Sequence, residues 1–266
     1  MKCPKCASHH IMRNGTRSGV QRFKCSDCKK QMSERTGSFF YRYRFPEQII
    51  EIAIFFHLFI PSSVVQIFLL FLFRCRVSKK SICQWTRKYM DRMQDLHLPS
   101  SEELLRIRHT DEKQIKIKGE KAWWWNIVDS GGNALQSCLS WTRHGIVVNN
   151  LMKDHKKHYG SPMIMATDGL QAYIKGVKKL GRTCTHAVCG ITEKFIPSHG
   201  IFLSNLPVER LHSRIDSYIN LKVRGSFENM ESADRWRKAF MLTHYLRNSV
   251  LQYKEIKYLP CQISVP

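Results

Sequence analysis

The sequence contains little acidic charge for its length. Its 266 residues include 21 Asp or Glu against 43 Lys or Arg, which gives a formal net charge of +22 and a pI near 9.8. Such an excess indicates a polyanionic partner, because neutralised phosphates release counterions and the field steers association. Nucleic acid is the first candidate, an anionic membrane surface the second, and a general effect on solubility the third.

The N-terminus, MKCPKCASHHIMRNG, lacks the apolar core of a secretory signal peptide. A secreted disulfide protein is therefore not the expected explanation for the ten cysteines. Reduced cysteines in an intracellular protein, some of them bound to metal, fit the sequence better.

The chain also lacks an uninterrupted apolar segment long enough to cross a membrane. Residues 49–73 are its most apolar part, but Glu51 and the Pro61-Ser62-Ser63 break divide them into halves of about ten residues, too short to span lipid. We predict two buried helices, with Ser62 or Ser63 as the N-cap of the second. We expect no membrane partner, and membrane association of the apolar halves is the alternative.

A third helix is predicted to follow, with Ser78 as its N-cap. Ile82, Trp85 and Tyr89 recur at helical spacing and predict a buried stripe. Three helices with a basic third helix favour a helix-turn-helix that reads the major groove, and a plain three-helix connector with a solvated basic face is the alternative. The predicted DNA-binding residues on the other faces of the third helix are Lys79, Lys80, Gln84, Arg87 and Lys88.

Two CxxC pairs stand at the N-terminus, formed by Cys3, Cys6, Cys25 and Cys28. Two such turns bring four thiolates to one tetrahedral zinc ion, so the spacing predicts a structural Zn²⁺ site in a zinc ribbon. A redox CxxC is the alternative, but it would need one pair beside a βαβ pattern, and no such pattern is present here.

The segment between the two pairs, RNGTRSGVQRFKC, is typical of two strands and a turn, with Gly15 and Gly19 providing turn freedom. Residues 1–44 carry eleven Lys or Arg against Asp27 and Glu34. We therefore expect zinc to supply most of the folding energy of this small unit, and its basic surface to lie on DNA.

From residue 107 the pattern changes to strands. Three consecutive runs in residues 107–141 predict an antiparallel meander with turns at Gly119-Glu120 and Ser130-Gly131-Gly132. A helix over residues 144–158, a short buried strand ending at Asp168 and further helices follow. This order is typical of an RNase H-like fold, a mixed sheet flanked by helices.

Three sequence blocks resemble the catalytic blocks of DDE-type insertion-sequence transposases. They are HTDEKQIKIKGEKAWWWNIVDSGGN, MATDGLQAY and SNLPVERLHSRID, in that order. The sequence is most similar to the group typified by insertion sequence six, whose members combine helix-turn-helix and RNase H-like domains, some with an N-terminal zinc finger. The resemblance covers nearly the whole chain.

The resemblance implies a set of active-site residues. Asp111, Asp168 and Glu209 match the three catalytic carboxylates, and three further residues match those that flank the glutamate: Asn205, His212 and Arg214. Three carboxylates suit the chemistry, because phosphodiester cleavage and strand transfer use two divalent ions, and Mg²⁺ or Mn²⁺ takes oxygen ligands.

Each acid also has a structural explanation. Asp111 and Asp168 could be a strand-edge residue and an N-cap, and Glu209 a solvated helix residue. Glu112 could replace Asp111 as the ligand, although alternation directs the two side chains to opposite faces. Asp129 is interpreted as a hairpin residue. The ordered triplet favours catalysis.

The sequence thus predicts a multidomain α+β protein with a zinc ribbon (1–44), a helix-turn-helix domain (45–96) and an RNase H-like catalytic domain (104–252). The resemblance implies a transposase that binds terminal inverted repeats and target DNA as a homodimer or higher oligomer. An inactive or domesticated DNA-binding regulator is the alternative. We expect a cytoplasmic, nucleoid-associated protein in a prokaryote, or a nuclear one if domesticated.

Overall fold

The computed structural model describes residues 1–17, 19–41, 43–223 and 225–251. They belong to two compact units, Met1–Phe55 and the residues from Phe56 onward, which are described separately. The predicted limit of the catalytic domain at residue 252 lies outside the described residues. The predicted limits of the three domains stay predictions.

The first unit contains a three-stranded antiparallel sheet in the order β1-β2-β3. Its strands are β1 (Ile11–Arg17), β2 (Val20–Cys25) and β3 (Gln31–Ser33). The two predicted strands are present, but Gly15 does not serve the turn. It lies inside β1 with φ +70°, where the register shifts between Arg13 and Thr16. A glycine in the left-handed conformation accommodates this shift in strand register.

Three helices follow, α1 (Glu47–Phe59), α2 (Ser62–Phe73) and α3 (Lys79–Asp91). The predicted serine cap of α2 is wrong, because the N-cap is Pro61 and no side chain caps this end. Pro61 has φ −60° and ψ 147°, an extended conformation that proline adopts readily. The prediction for α3 is confirmed, since the Ser78 hydroxyl accepts a 3.0 Å hydrogen bond from the Ser81 amide.

The prediction of two buried apolar helices is wrong for α2. Only Val65 and Leu69 of this helix are buried. Large apolar side chains cover the rest of its surface and are exposed to solvent: Val64, Ile67, Leu70, Phe71, Leu72 and Phe73. A helix that is apolar all round is usually buried, so this exposed face needs a separate explanation.

The second unit is built on a five-stranded mixed sheet in the order β6-β5-β4-β7-β8. After the short α4 (Glu102–Leu105), the strands and helices are β4 (Ile107–Ile117), β5 (Glu120–Asp129), β6 (Ala134–Ser140), α5 (Gly145–Tyr159), β7 (Ile164–Thr167), α6 (Gln171–Val177) and β8 (Thr185–Val188). β4, β5 and β6 pair antiparallel, whereas β4, β7 and β8 run parallel. This mixed sheet with flanking helices is the predicted RNase H-like arrangement, and the meander is confirmed. Its first turn lies one residue earlier than predicted, because Ile117 pairs with Glu120.

Helices cover both faces of the sheet. Trp124 packs in the core beneath α7 (Leu206–Val223) and α8 (Met230–Leu251), whereas Trp125 packs with residues of α5 and α6 on the other face. Alternation along β5 therefore places both tryptophans in a core. Both faces are core, which gives three layers, α/β/α.

A small hairpin occupies the long stretch between Asp168 and Glu209. Its strands are β9 (Lys194–Ile196) and β10 (Ile201–Leu203), and the rings of Phe195 and Phe202 lie 5.1 Å apart. Among the helices of the described residues, none combines the length and the apolar character that crossing a membrane requires.

Candidate active site

The central strand and its parallel neighbour bring two acids together. β4 pairs with β7 so that His109 lies opposite Ala166. Two residues further along this register, Asp111 and Asp168 come side by side. Asp168 directly follows the end of β7, and its Oδ1 accepts a 2.9 Å hydrogen bond from the Leu170 amide. It is not the N-cap of α6, because that position is Leu170.

The third acid reaches the same place from a helix. Glu209 lies in the first turn of α7, which packs on the sheet through the buried Val208 and Leu211. Ligand atoms of Asp111, Glu209 and His212 all lie within 4.8 Å of one another, and so do those of Asp111, Glu112 and Asp168. Asp111 therefore belongs to both groups and links Asp168 to Glu209. We call the four acids Asp111, Glu112, Asp168 and Glu209 the carboxylate cluster.

Burial makes Asp111 costly to ionise without a cation. The residue is 7% exposed. Desolvation, followed by the neighbouring charges of Glu112 and Asp168, raises the pKa of its carboxyl to about 8. A hard divalent cation would replace the proton and offset the repulsion among these oxygens. The chemistry of the donor set thus fits Mg²⁺ or Mn²⁺.

Glu112 joins the cluster as a paired carboxylate. Its Oε1 accepts from the Arg143 guanidinium at 2.5 Å, and its Oε2 accepts from the Tyr173 hydroxyl at 2.7 Å. Alternation sends Asp111 and Glu112 to opposite faces, but Asp168 follows a strand end and is within reach of both. Burial raises the pKa of Glu112, while Tyr173 and Arg143 lower it.

Arg143 and Tyr173 were not predicted from the sequence. Arg143 follows β6 and Tyr173 lies on α6, so only the tertiary fold brings them to Glu112. Arg143 also lies 3.9 Å from the Asp168 carboxylate and 4.9 Å from the centre of the Trp123 ring. Its side chain is 41% exposed, so solvent reaches this cation beside the acids.

Two of the three predicted supporting residues lie near the acids. The buried His212 places its Nδ1 3.8 Å from Glu209 Oε2, and desolvation lowers the pKa of this imidazole to about 4. Asn205, just before α7, is buried near His109, and its backbone N–H donates to the Gly190 carbonyl at 2.7 Å.

Arg214 lies elsewhere. It is five residues beyond Glu209 and therefore projects from another side of α7. Its guanidinium lies 3.5 Å from His244 Nδ1 and lines a cavity of about 240 Å³. The other residues of this cavity are Ser130, Gly131, Gly132, Asn133, Pro207, Arg210, Leu211 and Asn248.

Asp129 has the structural role that its position indicates. It is fully buried, its Oδ1 accepts from the Asn133 amide at 2.9 Å, and its Oδ2 accepts from the Ser100 hydroxyl at 2.5 Å. These bonds hold the turn between β5 and β6, which explains a buried acid outside the carboxylate cluster.

The four N-terminal cysteines form a separate cluster. Cys3 Sγ lies 3.4 Å from Cys28 Sγ, and Cys6 Sγ lies 3.6 Å from Cys25 Sγ. Four thiolates bound to one zinc ion at about 2.3 Å would lie about 3.8 Å apart, close to these separations. Burial acts to raise the pKa of Cys3, but hydrogen bonds from the backbone of Lys5 and Cys6 bring it down to about 6. The cluster can hold a metal ion.

The residues predicted to contact DNA are on the surface of α3. Lys79, Lys80, Gln84 and Arg87 are exposed, and Lys88 is half-buried. Of the predicted stripe, Ile82 and Trp85 are buried on the opposite side, whereas Tyr89 is half-buried. Contact with DNA stays a prediction.

Comparison with known proteins identifies the family. A family model described as a DDE domain matches residues 107–249, more than half of the chain. The chain therefore belongs to the DDE-domain family of insertion-sequence transposases, and it is a polynucleotidyl transferase of the kind that cleaves DNA and transfers strands.

Other comparisons are more distant. The HTLV-2 integrase catalytic core domain in complex with magnesium, in its trimeric form, is 16% identical, with a TM-score of 0.37, over 51% of this chain and 82% of that one. The simian T-cell lymphotropic virus intasome in complex with PP2A regulatory subunit B56 gamma is 12% identical, with a TM-score of 0.39, over 72% of this chain and 66% of that one. No curated protein matches the sequence.

Proposed function

We propose that this protein is the transposase of an insertion sequence, which binds the terminal inverted repeats of its element and inserts them into target DNA. The observation that carries the proposal is the position of Asp111, whose carboxylate meets Asp168 and Glu112 on one side and Glu209 on the other. Three elements far apart in the chain, β4, the end of β7 and α7, supply these acids.

Asp111, Asp168 and Glu209 are proposed to hold two Mg²⁺ or Mn²⁺ ions. Such ions, when bound, supply activation of the attacking oxygen and stabilisation of the leaving oxygen. Arg143 neutralises Glu112, and its exposed guanidinium can position a DNA phosphate. The buried His212 lies 3.8 Å from Glu209, and because burial lowers the pKa of its imidazole it adds no positive charge beside the cation sites at neutral pH.

The other parts of the chain are proposed to hold the DNA. A structural zinc ion in the four-cysteine cluster would fold the basic ribbon, and α3 would enter the major groove with Lys79, Lys80, Gln84, Arg87 and Lys88. We further propose a homodimer or higher oligomer on DNA, and a cytoplasmic, nucleoid-associated location in a prokaryote, or a nuclear one for a domesticated copy.

The test is strand transfer of a pre-cleaved oligonucleotide, carrying the inverted repeat that borders the gene, into plasmid DNA with Mg²⁺ or Mn²⁺. Asp168→Asn keeps the size of the side chain and can still accept the hydrogen bond from Leu170, so folding and repeat binding should survive. Strand transfer should fall by roughly 10²-fold or more, because the cation sites lose a charged ligand.

The matched control is Asp216→Asn. Asp216 lies on α7 like Glu209, but its carboxylate is 57% exposed and paired with Lys113 at 2.7 Å, outside the groups that contain Asp111. This variant should transfer strands like the wild type. Equal transfer by Asp168→Asn and wild type would refute the assignment of the acids, whereas tight repeat binding by an inert wild type would favour the domesticated regulator.

A further inference from the structure

We propose that His97, Asp154 and His158 form a second metal site in this unit, for a divalent transition ion such as Zn²⁺, Co²⁺ or Ni²⁺. The three side chains place their ligand atoms within 4.8 Å of one another, and they share no residue with the carboxylate cluster. The inference does not depend on the proposed function.

The separations among the ligand atoms match a coordination sphere. His97 Nε2 lies 3.2 Å from Asp154 Oδ2, and His158 Nε2 lies 3.5 Å from Asp154 Oδ1. A four-coordinate zinc ion with bonds of about 2.0–2.1 Å places neighbouring ligand atoms about 3.3 Å apart. The nitrogen–oxygen separations therefore fit this sphere, and the two stacked rings must rotate apart on binding so that both Nε2 lone pairs point at one ion.

The two imidazoles are already gathered on one side of the carboxylate. Their rings stack with centroids 3.5 Å apart and an interplanar angle of 18°, and both rings direct Nε2 towards Asp154. Asp154 and His158 are four residues apart on α5, which puts them on one helix face. All three side chains are partly exposed, so an ion can enter from solvent and keep water in its open position.

A chain of hydrogen bonds orients Asp154 from the interior. Arg108 Nη1 donates to His155 Nε2 at 2.8 Å, which leaves Nδ1 as the donor nitrogen of this buried imidazole. His155 Nδ1 donates to Gln136 Oε1 at 2.9 Å, so the amide of Gln136 turns its Nε2 to Asp154 Oδ2 at 2.5 Å. Groups that hold a ligating carboxylate in this way are the usual support of metal sites.

The site would join two separate parts of the fold. His97 belongs to the segment between α3 and α4, whereas Asp154 and His158 belong to α5. This segment already contacts the domain next to the site, because the Tyr159 hydroxyl lies 2.9 Å from the carbonyls of both Leu98 and Leu135. A bound ion would cross-link the segment after α3 to α5. It would thereby strengthen the connection between α3 and the domain built on the five-stranded sheet.

The donor set selects the class of ion. Two imidazoles and one carboxylate suit borderline ions of the Zn²⁺ type, whereas Mg²⁺ and Ca²⁺ prefer oxygen donors alone. Saturating Mg²⁺ can therefore fill the carboxylate cluster during a titration without filling this site.

The test is a titration with Co²⁺, in millimolar Mg²⁺, of the full chain that carries one equivalent of zinc, enough for the cysteine cluster alone. It is followed by the visible absorption of the bound Co²⁺ and by thermal unfolding. Wild type should bind one Co²⁺ per chain with a spectrum free of thiolate charge-transfer bands, which separates this site from the cysteine cluster. The melting temperature should rise as the site fills.

His158→Gln and His97→Gln should each weaken Co²⁺ binding at least about tenfold and abolish the thermal shift. The matched control is His199→Gln, a histidine on the β9–β10 turn outside the clusters of ligand residues in the described part of the chain, and it should bind like wild type. Wild type that binds no Co²⁺ beyond the cysteine cluster would overturn the proposal. So would equal affinities for wild type and His158→Gln.

Discussion

Asp111 is an acid in a strand that is buried on both faces, in a chain with a strong excess of positive charge. Its raised pKa, about 8, measures how poorly the protein alone solvates its carboxylate. A residue so placed lowers the stability of the fold unless a cation or a proton joins it. A buried acid that lowers the stability of the fold is typical of a functional site.

The sequence predicted the three acids, but it did not predict their environment. Their positions followed from ordered blocks, whereas Arg143 and Tyr173 meet Glu112 through contacts between residues 31 and 61 positions apart. Local periodicity contains no information about such contacts. Closeness in sequence also does not guarantee closeness in space. Arg214 is near Glu209 in sequence but projects from another side of the helix.

Burial of His57 gives a prediction for the pH dependence of stability. Its Nδ1 lies 2.8 Å from Thr86 Oγ1, and desolvation, with the charge of Lys222, lowers its pKa to about 4 from its ordinary value of 6.5. Between pH 6.5 and 4 the unfolded chain therefore binds more protons at this residue than the folded chain. Stability should fall as the pH is lowered through that window.

The variant that tests this effect is His57→Gln, which removes the titration and keeps a polar group near Thr86. The free energy of unfolding in urea, measured at pH 7 and pH 5, should decrease less in the variant than in wild type, by on the order of 1–2 kcal/mol. Thr86→Ser is the control, and it should lower stability by similar amounts at both pH values. The same decrease in wild type and His57→Gln would contradict the assignment.

At the scale of elements, the sequence predicted the catalytic sheet better than the helical middle. Alternation and turn residues define β4, β5 and β6 locally, so the meander followed from sequence alone. The burial of α2 could not be predicted, because an apolar pattern is the same whether the helix faces a core or solvent. The predicted serine N-cap of α2 was wrong because Pro61 adopts the extended conformation of that position.

The zinc ribbon is an element whose folding should depend on its metal. Cys25→Ser removes a buried ligand from the four-cysteine cluster, so the protein should lose one equivalent of zinc and bind repeat DNA more weakly. The second unit should stay folded, since Cys25 belongs to the first. Metal analysis and far-ultraviolet circular dichroism of the purified protein measure both effects.

Cys184→Ser provides the matched comparison, because this thiol lies in the second unit, outside the four-cysteine cluster. It should retain the full zinc content. A Cys25→Ser protein with unchanged zinc and unchanged repeat binding would show that the ribbon does not use this ligand.

The basic face of α3 gives a prediction about salt dependence. Lys79 and Lys80 are exposed in its first turn. If each contacts one phosphate, Lys79→Ala with Lys80→Ala should weaken repeat binding and reduce the slope of log K against log salt by roughly 0.9 per lost contact. Fluorescence anisotropy at several salt concentrations measures this slope.

The matched control for α3 is Lys156→Ala with Lys157→Ala, two lysines in the last turn of α5. These changes remove the same charge from another surface and should leave the slope closer to that of wild type. An unchanged slope in the α3 variant would assign recognition to the ribbon instead.

At the scale of the whole molecule, α2 exposes a group of apolar side chains to solvent in a chain of net charge +22. Ile67 is 66% exposed and Phe71 is 73% exposed, and they belong to a set of six large apolar residues on one short helix. Exposed patches of this kind mark interaction sites. A second copy is the occupant that fits the proposed function, because each of the two element ends then has its own active site. An isologous interface uses the same patch on both copies.

The oligomer prediction is tested by replacing this face. Ile67→Ser with Phe71→Ser should convert an assembly of two or more chains to a monomer of 31.2 kDa, as measured by light scattering after size exclusion. Neither side chain is buried, so the variant should still fold. Strand transfer should decrease because the assembly is lost. Phe202→Ser, which changes a side chain 65% exposed on the β9–β10 hairpin, should keep the mass of the wild type. A monomeric wild type on repeat DNA, or a double variant with unchanged mass, would show that α2 does not join copies of this chain.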